Sequence, residues 1–262
     1  MKILLVEDNL VNSEVAIELL ATLGLEADIA TNGEQALELF DTNKYSLILM
    51  DCEMPIMDGF TATKLMREKE CESHQDSVPI IAITAHAISG SREKCLACGM
   101  DDFLSKPFSL ADLCLILSRW LKIELADAPY NMDKLQISET NVFRSNADVL
   151  DGEILSRLFA KEKKCDINFL NNLVGIYLEQ SSQLLDELLM ACRKSDVESV
   201  RRISHTLKSS SANIGALNFS KLCRVVELTC EQGLIEDELI QDVYQSYPSV
   251  EAALKIILQN IQ

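Results

Sequence analysis

Five short runs of consecutive apolar residues in the first half of the chain limit the folds that it can adopt. The runs are KILLV, ADIA, SLILM, PIIAI and DFL, and stretches with helical periodicity separate them. Strands that are apolar on both faces are typical of a parallel sheet covered by helices on both sides. Residues 1–122 therefore predict a doubly wound α/β domain with five parallel strands.

The second half of the chain carries only helical patterns. We predict an antiparallel helical bundle over residues 151–262. Its helices are expected over 152–161, 166–192, 196–213, 216–232 and 236–260. Ser195 and Glu198 have the spacing of a capping box at the start of the third helix. Pro248 either begins a helix or kinks the last one. Residues 123–150 keep no sustained period, and we interpret them as a linker.

The net charge and the cysteine content limit the partners that the chain can bind and the compartment in which it works. The chain has 24 Lys and Arg against 41 Asp and Glu, a formal net charge of -17. That sign disfavours direct binding to nucleic acid or to an anionic membrane. No apolar run approaches the roughly 20 residues of a membrane-spanning helix. Nine cysteines without a disulfide framework favour a reduced, cytoplasmic protein. We interpret the C-x-x-C pair Cys95 and Cys98 as partly buried helix residues rather than a redox or zinc site.

Polar residues stand where the predicted strands end. Glu7 and Asp8 end the first strand, Asp51 ends the third, Thr84 ends the fourth, and Lys106 follows the fifth. Such strand ends meet at one edge of a doubly wound sheet, where ligands bind. Three converging carboxylates need a hard cation such as Mg²⁺. Asp51 would then be the nucleophile that forms an acyl phosphate, with Lys106 and the Thr84 hydroxyl holding the phosphoryl oxygens.

Residues 1–122 resemble a response-regulator receiver domain over that domain's full length. The motifs that carry the resemblance are LLVEDN, LILMDCEMPIMDG, AITAHA and FLSKPF. The resemblance implies a flavodoxin-like strand order and phosphorylation of Asp51. The implied Mg²⁺ ligands are the side chains of Glu7, Asp8 and Asp51 and the backbone carbonyl of Glu53. It further implies phosphoryl contacts from Thr84 and Lys106, a switch aromatic at Phe103, and a cis Lys106–Pro107 bond.

One histidine of the second half lies among cations on a predicted helix. A helical wheel places Ile203 and Leu207 on the apolar face and His205 opposite them, so we expect its imidazole to point to solvent. The other side chains near His205 on the wheel are cations or small residues, namely Arg201, Arg202, Lys208, Ser209 and Ala212. A neutral ring nitrogen is nucleophilic near neutral pH, and Lys208 would screen a phosphoryl group as a mobile point charge.

The segment around this histidine resembles a histidine phosphotransfer domain. The match is HTLKSSSANIGA with the preceding SDVESVRRI and the following LCRVVE. It covers residues 151–232, and the last helix more weakly. Ser209 stands where the family usually has Gly, and Glu227 stands where the family often has a residue that faces the histidine.

The two resemblances together predict a phosphorelay intermediate. Asp51 would accept a phosphoryl group from the phosphohistidine of an upstream kinase, and His205 would exchange it with this receiver or that of a downstream regulator. The absence of a nucleotide-binding motif predicts no ATP-dependent kinase activity, whether the chain is free-standing or part of a hybrid histidine kinase. One alternative is an Mg²⁺-dependent phosphatase with an aspartyl nucleophile, for which Glu53 would be a poorly matched general acid. The other alternative is a non-catalytic signalling interaction module.

Overall fold

The chain divides into two compact units, Met1–Met132 and Asp133–Gln262. This computed structural model describes residues 1–74, 76–84, 91–121, 149–152, 154 and 167–261. The predicted linker 123–150 therefore lies almost entirely outside the described residues, as does most of the predicted helix 152–161.

The first unit is a five-stranded parallel sheet whose strands alternate with helices. The strands are β1 (Lys2–Val6), β2 (Glu26–Ala30), β3 (Leu47–Asp51), β4 (Ile80–Thr84) and β5 (Asp102–Ser105). The helices are α1 (Leu10–Thr22), α2 (Gly33–Thr42), α3 (Gly59–Ser73), α4 (Ser91–Ala97) and α5 (Leu110–Leu121). All strand pairs are parallel, in the order β2-β1-β3-β4-β5. The predicted doubly wound sheet is confirmed.

Two apolar layers, one on each face of the sheet, explain why the strands are apolar throughout. Ile48 and Met50 of β3 belong to the layer that includes residues of α2 and α3. Leu47 and Leu49 belong to the opposite layer, which includes residues of α1 and α5. Because both faces of β3 are buried, a charged side chain is tolerated only at its end, where Asp51 lies.

The described part of the second unit is a helical bundle. Its helices are α6 (Ile167–Arg193), α7 (Val197–Asn213), α8 (Leu217–Glu231) and α9 (Asp237–Ile261). Short turns join consecutive helices, which makes neighbours antiparallel as predicted. Pro248 lies inside α9, so the alternative in which it begins a helix is wrong. Among these and the other described helices, none combines the length and the apolar character needed to cross a membrane.

The start of α7 differs from the prediction by one residue. The N-cap is Asp196, whose carboxylate accepts a hydrogen bond from the backbone N–H of Ser199. Ser195 instead has a φ of 54° and follows the end of α6. The N–H groups of Ser195 and Asp196 bond back to carbonyls of α6, as in a Schellman motif. The predicted cap at Ser195 is therefore wrong, because this residue terminates one helix and does not begin the next.

Candidate functional site

Three carboxylates meet at the carboxyl edge of the sheet, as the sequence predicted. Side-chain oxygens of Glu7, Asp8 and Asp51 lie within 4.8 Å of one another. Glu7 and Asp51 are each only 3% exposed, whereas Asp8 is half-buried. Two buried carboxylates at this spacing need a compensating positive charge.

Lys106 supplies that charge within the described structure. Its Nζ lies 2.6 Å from Oε2 of Glu7 and 2.6 Å from Oδ2 of Asp51. Burial works against the charged ammonium, but the carboxylates of Asp51 and Glu7 outweigh it and raise the pKa of Lys106 above its ordinary value. The backbone N–H of Lys106 donates to the carbonyl of Thr84, and the Lys106–Pro107 bond is cis, as the resemblance implied.

Thr84 and Phe103 occupy the neighbouring strands of the same sheet. Thr84 ends β4, one residue beyond the register partner of Asp51, and is buried. Phe103 lies in β5, is half-buried and packs against the apolar layer that includes Met50. The sheet therefore holds Thr84 beside the carboxylate edge, and Phe103 anchors β5 from the apolar side.

Backbone and amide groups hold the carboxylates from the other side. The N–H of Glu53 donates to Oδ1 of Asp51 over 3.2 Å, and the Asn12 amide donates to Oε1 of Glu7 over 2.8 Å. A Cβ on Gly59 would stand 2.0 Å from the backbone oxygen of Asp51, so only glycine fits there. Asn12 and Gly59 were not predicted. The signal for Asn12 was its place in the first turn of α1, where side chains lean back toward the strand end.

The second candidate site is a contact between α7 and α8. Nδ1 of His205 lies 2.6 Å from Oε1 of Glu227, and Nζ of Lys208 lies 2.6 Å from Oε2 of the same carboxylate. A carboxylate only accepts, so Nδ1 of His205 donates its proton to the bond. In the neutral imidazole this leaves the lone pair on Nε2.

The helical wheel of α7 did not show that His205 contacts a second helix. Its Nδ1 and the Nζ of Lys208 both bind the carboxylate of Glu227 on α8. The helical wheel treated α7 in isolation, whereas α8 packs against the side of α7 that carries both residues. Lys208 is therefore a fixed ion-pair partner and not a mobile point charge. Of the flanking arginines, Arg201 is bonded to Glu198 over 3.0 Å.

Of the residues at this site, Glu227 was predicted only from the family resemblance. Burial would raise the pKa of its carboxyl group. The hydrogen bond from His205 and the charges of His205 and Lys208 outweigh burial and lower this pKa to about 2. Glu227 is therefore an anion throughout the physiological pH range, which suits it to orient an imidazole and to balance positive charge on the ring.

Family models match both units of the chain. A model of the response regulator receiver domain matches residues 3–118, and a model of the Hpt domain matches residues 172–262. The chain is a receiver domain followed by an Hpt domain.

Known proteins match one or both of these domains. Sensor protein GacS of Pseudomonas syringae pv. syringae is 28% identical over 258 residues, which cover 98% of this chain and 28% of that protein. Hybrid signal transduction histidine kinase G of Dictyostelium discoideum is 42% identical over 127 residues, which cover 48% of this chain and 4% of that protein. The chain thus spans less than a third of either curated relative.

A solved structure matches the receiver domain. It is the receiver domain of sensor histidine kinase PA1611 from Pseudomonas aeruginosa PAO1, with a magnesium ion coordinated in its active site cleft. The sequences are 44% identical, the match covers 47% of this chain and 98% of that chain, and the TM-score is 0.42.

Proposed function

We propose that the chain carries a phosphoryl group on Asp51 of the receiver domain and on His205 of the Hpt domain. In this role it links an upstream histidine kinase to a downstream response regulator in the cytoplasm. The observation that carries the proposal is the convergence of Glu7, Asp8, Asp51 and Lys106 at one edge of the sheet. Acyl-phosphate chemistry needs this combination of a nucleophilic carboxylate, cation ligands and a fixed ammonium.

The donor set of the receiver site fits Mg²⁺. The carboxylates of Glu7, Asp8 and Asp51 are hard oxygen donors at a spacing that one ion can bridge. The backbone carbonyl of Glu53, directly beyond the β3 end, is the further ligand that we assign. When bound, Mg²⁺ neutralises charge on the phosphoryl oxygens.

Three receiver residues then have separate roles in phosphoryl transfer. A carboxylate oxygen of Asp51 attacks phosphorus, a P–O bond forms, and the P–N bond to the donor's imidazole breaks. The Lys106 ammonium moves its hydrogen bonds from the carboxylates to a phosphoryl oxygen. The Thr84 hydroxyl donates to another phosphoryl oxygen.

The Hpt residues perform the complementary step. Nε2 of His205 attacks phosphorus of an aspartyl phosphate, and the P–O bond to that carboxylate breaks. The ring gains positive charge as the P–N bond forms while Nδ1 keeps its proton. The Glu227 carboxylate, 2.6 Å from Nδ1, stabilises that charge, and Lys208 fixes the carboxylate in place.

Labelling with radioactive acetyl phosphate tests both assignments. Wild-type protein should acquire an alkali-labile label on Asp51 that requires Mg²⁺ and disappears with EDTA. An acid-labile, alkali-stable label should appear on His205, and His205→Ala should remove this label alone. Label that persists in an Asp51→Asn, His205→Ala double variant, or that ignores EDTA, contradicts the proposal. Steady turnover of a generic phosphate ester would favour the phosphatase alternative instead.

A further inference from the structure

Two buried cysteines from different elements meet next to the phosphoacceptor. Sγ of Cys52 lies 3.9 Å from Sγ of Cys95, and the side chains are 4% and 2% exposed. Cys52 directly follows Asp51 at the end of β3, whereas Cys95 lies in α4. The pair is thus distinct from the C-x-x-C spacing, in which Cys98 bonds back to the carbonyl of Cys95 within its own turn.

The two sulfurs are close enough for a covalent bond after a small movement. A disulfide needs about 2.0 Å between sulfurs, so the approach is about 1.9 Å. The backbone of Cys52 is held on both sides, since its N–H donates to the Ile83 carbonyl and its carbonyl accepts from Gly59. Cys95 sits on a helix of only seven residues. Most of the movement therefore falls to α4.

We propose that Cys52 and Cys95 form a reversible disulfide with a peroxide as oxidant, and that this bond slows phosphorylation of Asp51. The Cys95 thiolate attacks one peroxide oxygen, the O–O bond breaks, and Cys95 becomes a sulfenic acid as hydroxide leaves. The Cys52 sulfur then attacks the sulfenic sulfur, and the S–S bond forms with loss of water. Two thiols lose two electrons in total, and one hydrogen peroxide becomes two waters.

The surroundings of the two cysteines favour oxidation of Cys95 before Cys52, and they favour a small oxidant. The hydrogen bond from Cys52 lowers the pKa of the Cys95 thiol, which makes Cys95 the attacking sulfur. Both thiols lie in the apolar layer between the sheet and its helices. Burial excludes large disulfides such as oxidised glutathione, whereas hydrogen peroxide is close to water in size.

The effect on phosphorylation follows from the position of Cys52. This part of the proposal rests on Asp51 being the phosphoacceptor. A covalent bond to α4 shifts Cys52, which lies between Asp51 and Glu53. The backbone carbonyl of Glu53 is the one that we assign as a ligand of Mg²⁺. The part of the movement that α4 does not take up displaces the loop whose Glu53 N–H orients the Asp51 carboxylate. The labelling rate of Asp51 should fall, because small misplacements of reacting groups cost large factors in rate.

Disulfide mapping on the full chain tests the bond itself. The protein is treated with hydrogen peroxide, blocked with N-ethylmaleimide and digested with trypsin without reduction. The tryptic peptide of Cys52 has no other cysteine, whereas Cys95 shares its peptide with Cys98 and Cys114. The linked peptide should form in wild type and in Cys98→Ser, should be absent from Cys52→Ser and Cys95→Ser, and should disappear with dithiothreitol. No linked peptide, or one that survives Cys95→Ser, overturns the proposal.

Acetyl phosphate labelling before and after oxidation tests the consequence. Oxidised wild type should label more slowly than reduced wild type, and dithiothreitol should restore the rate. Cys95→Ser given the same peroxide should keep its rate, which controls for methionine oxidation. A mapped disulfide with an unchanged labelling rate overturns the regulatory claim. If reduced wild type is not labelled on Asp51, the proposed function is refuted instead. Peptide mapping still tests the disulfide in that case, because it does not require phosphorylation.

Discussion

Lys106 and Asp51 form a buried ion pair, with 2.6 Å between Nζ and Oδ2. The same ammonium also contacts Glu7, so it occupies the position between two carboxylates that we assign to Mg²⁺. Lys106 and a metal ion bound at this edge would therefore compete for the same negative charge before any phosphoryl group arrives. An incoming phosphoryl group relieves the competition, since it offers oxygens to both cations.

Lys106→Met should bind Mg²⁺ more tightly than wild type, although it should lose phosphorylation of Asp51. Two unit charges 4 Å apart interact by about 4 kcal/mol at an effective dielectric constant of 20. Solvent that enters the site of the variant offsets part of this energy, so a gain between about tenfold and about a thousandfold is expected. Titration calorimetry measures the affinity. Lys69→Met is the matched control, because Lys69 is exposed and pairs with Asp41 away from this site. Equal affinities in wild type and Lys106→Met would disprove the competition.

The ion pair of Glu227 makes the Hpt domain sensitive to acid. A pKa lowered from 4.5 to about 2 means that Glu227 contributes stability above pH 4.5, which is lost as the pH falls toward 2. The contribution is about 3 kcal/mol, because each pKa unit corresponds to about 1.4 kcal/mol. Urea unfolding of wild type and Glu227→Gln at pH 7, 4 and 3 measures it. The difference in unfolding free energy should shrink with each step, and a constant difference would contradict this account.

Glu227→Gln should also slow phosphoryl transfer to His205. The amide keeps the shape of the side chain but lacks the charge that balances the ring, and we expect a loss of about tenfold or more. Rapid-quench transfer from a phosphorylated receiver domain measures the rate. Glu198→Gln removes a carboxylate from an exposed position on the same helix as His205 and should leave the rate unchanged. If Glu227→Gln and Glu198→Gln slow the transfer equally, the loss comes from the changed net charge of the domain and not from the contact with Nδ1.

Gly59→Ala should destabilise the receiver domain and impair Asp51. The added Cβ would meet the Asp51 backbone oxygen at 2.0 Å, so the β3 end must move by about 1 Å or more. Overpacking of this kind costs about 1–3 kcal/mol. Gly24→Ala is the control, because Gly24 has a φ of +71° but open space around its Cβ position. Both variants lose stability in thermal unfolding, but Gly24→Ala should keep the phosphorylation rate of wild type.

The sequence was most informative where one rule of sheet geometry applies. Carboxyl ends of parallel strands share an edge, and that rule is enough to predict that Asp51, Thr84 and Lys106 lie together. The sequence failed where two helices interact, because the environment of His205 depends on α8, which a wheel of α7 does not contain. Ser195 and Asp196 were confused for a related reason. Both are good capping residues, and only the backbone angles show which helix each one serves.

The order of the strands along the chain also bears on how the receiver domain is synthesised. Glu7 and Asp51 leave the ribosome well before Lys106, which follows Asp51 by 55 residues and comes directly after the last strand to emerge. Until then β1 and β3 can pair only by bringing two uncompensated carboxylates together. During synthesis, the two carboxylates are therefore present before the Lys106 ammonium that offsets their repulsion. During that interval only a cation from solution can offset this repulsion, so pairing of β1 with β3 before Lys106 is synthesised should depend on the cations in solution.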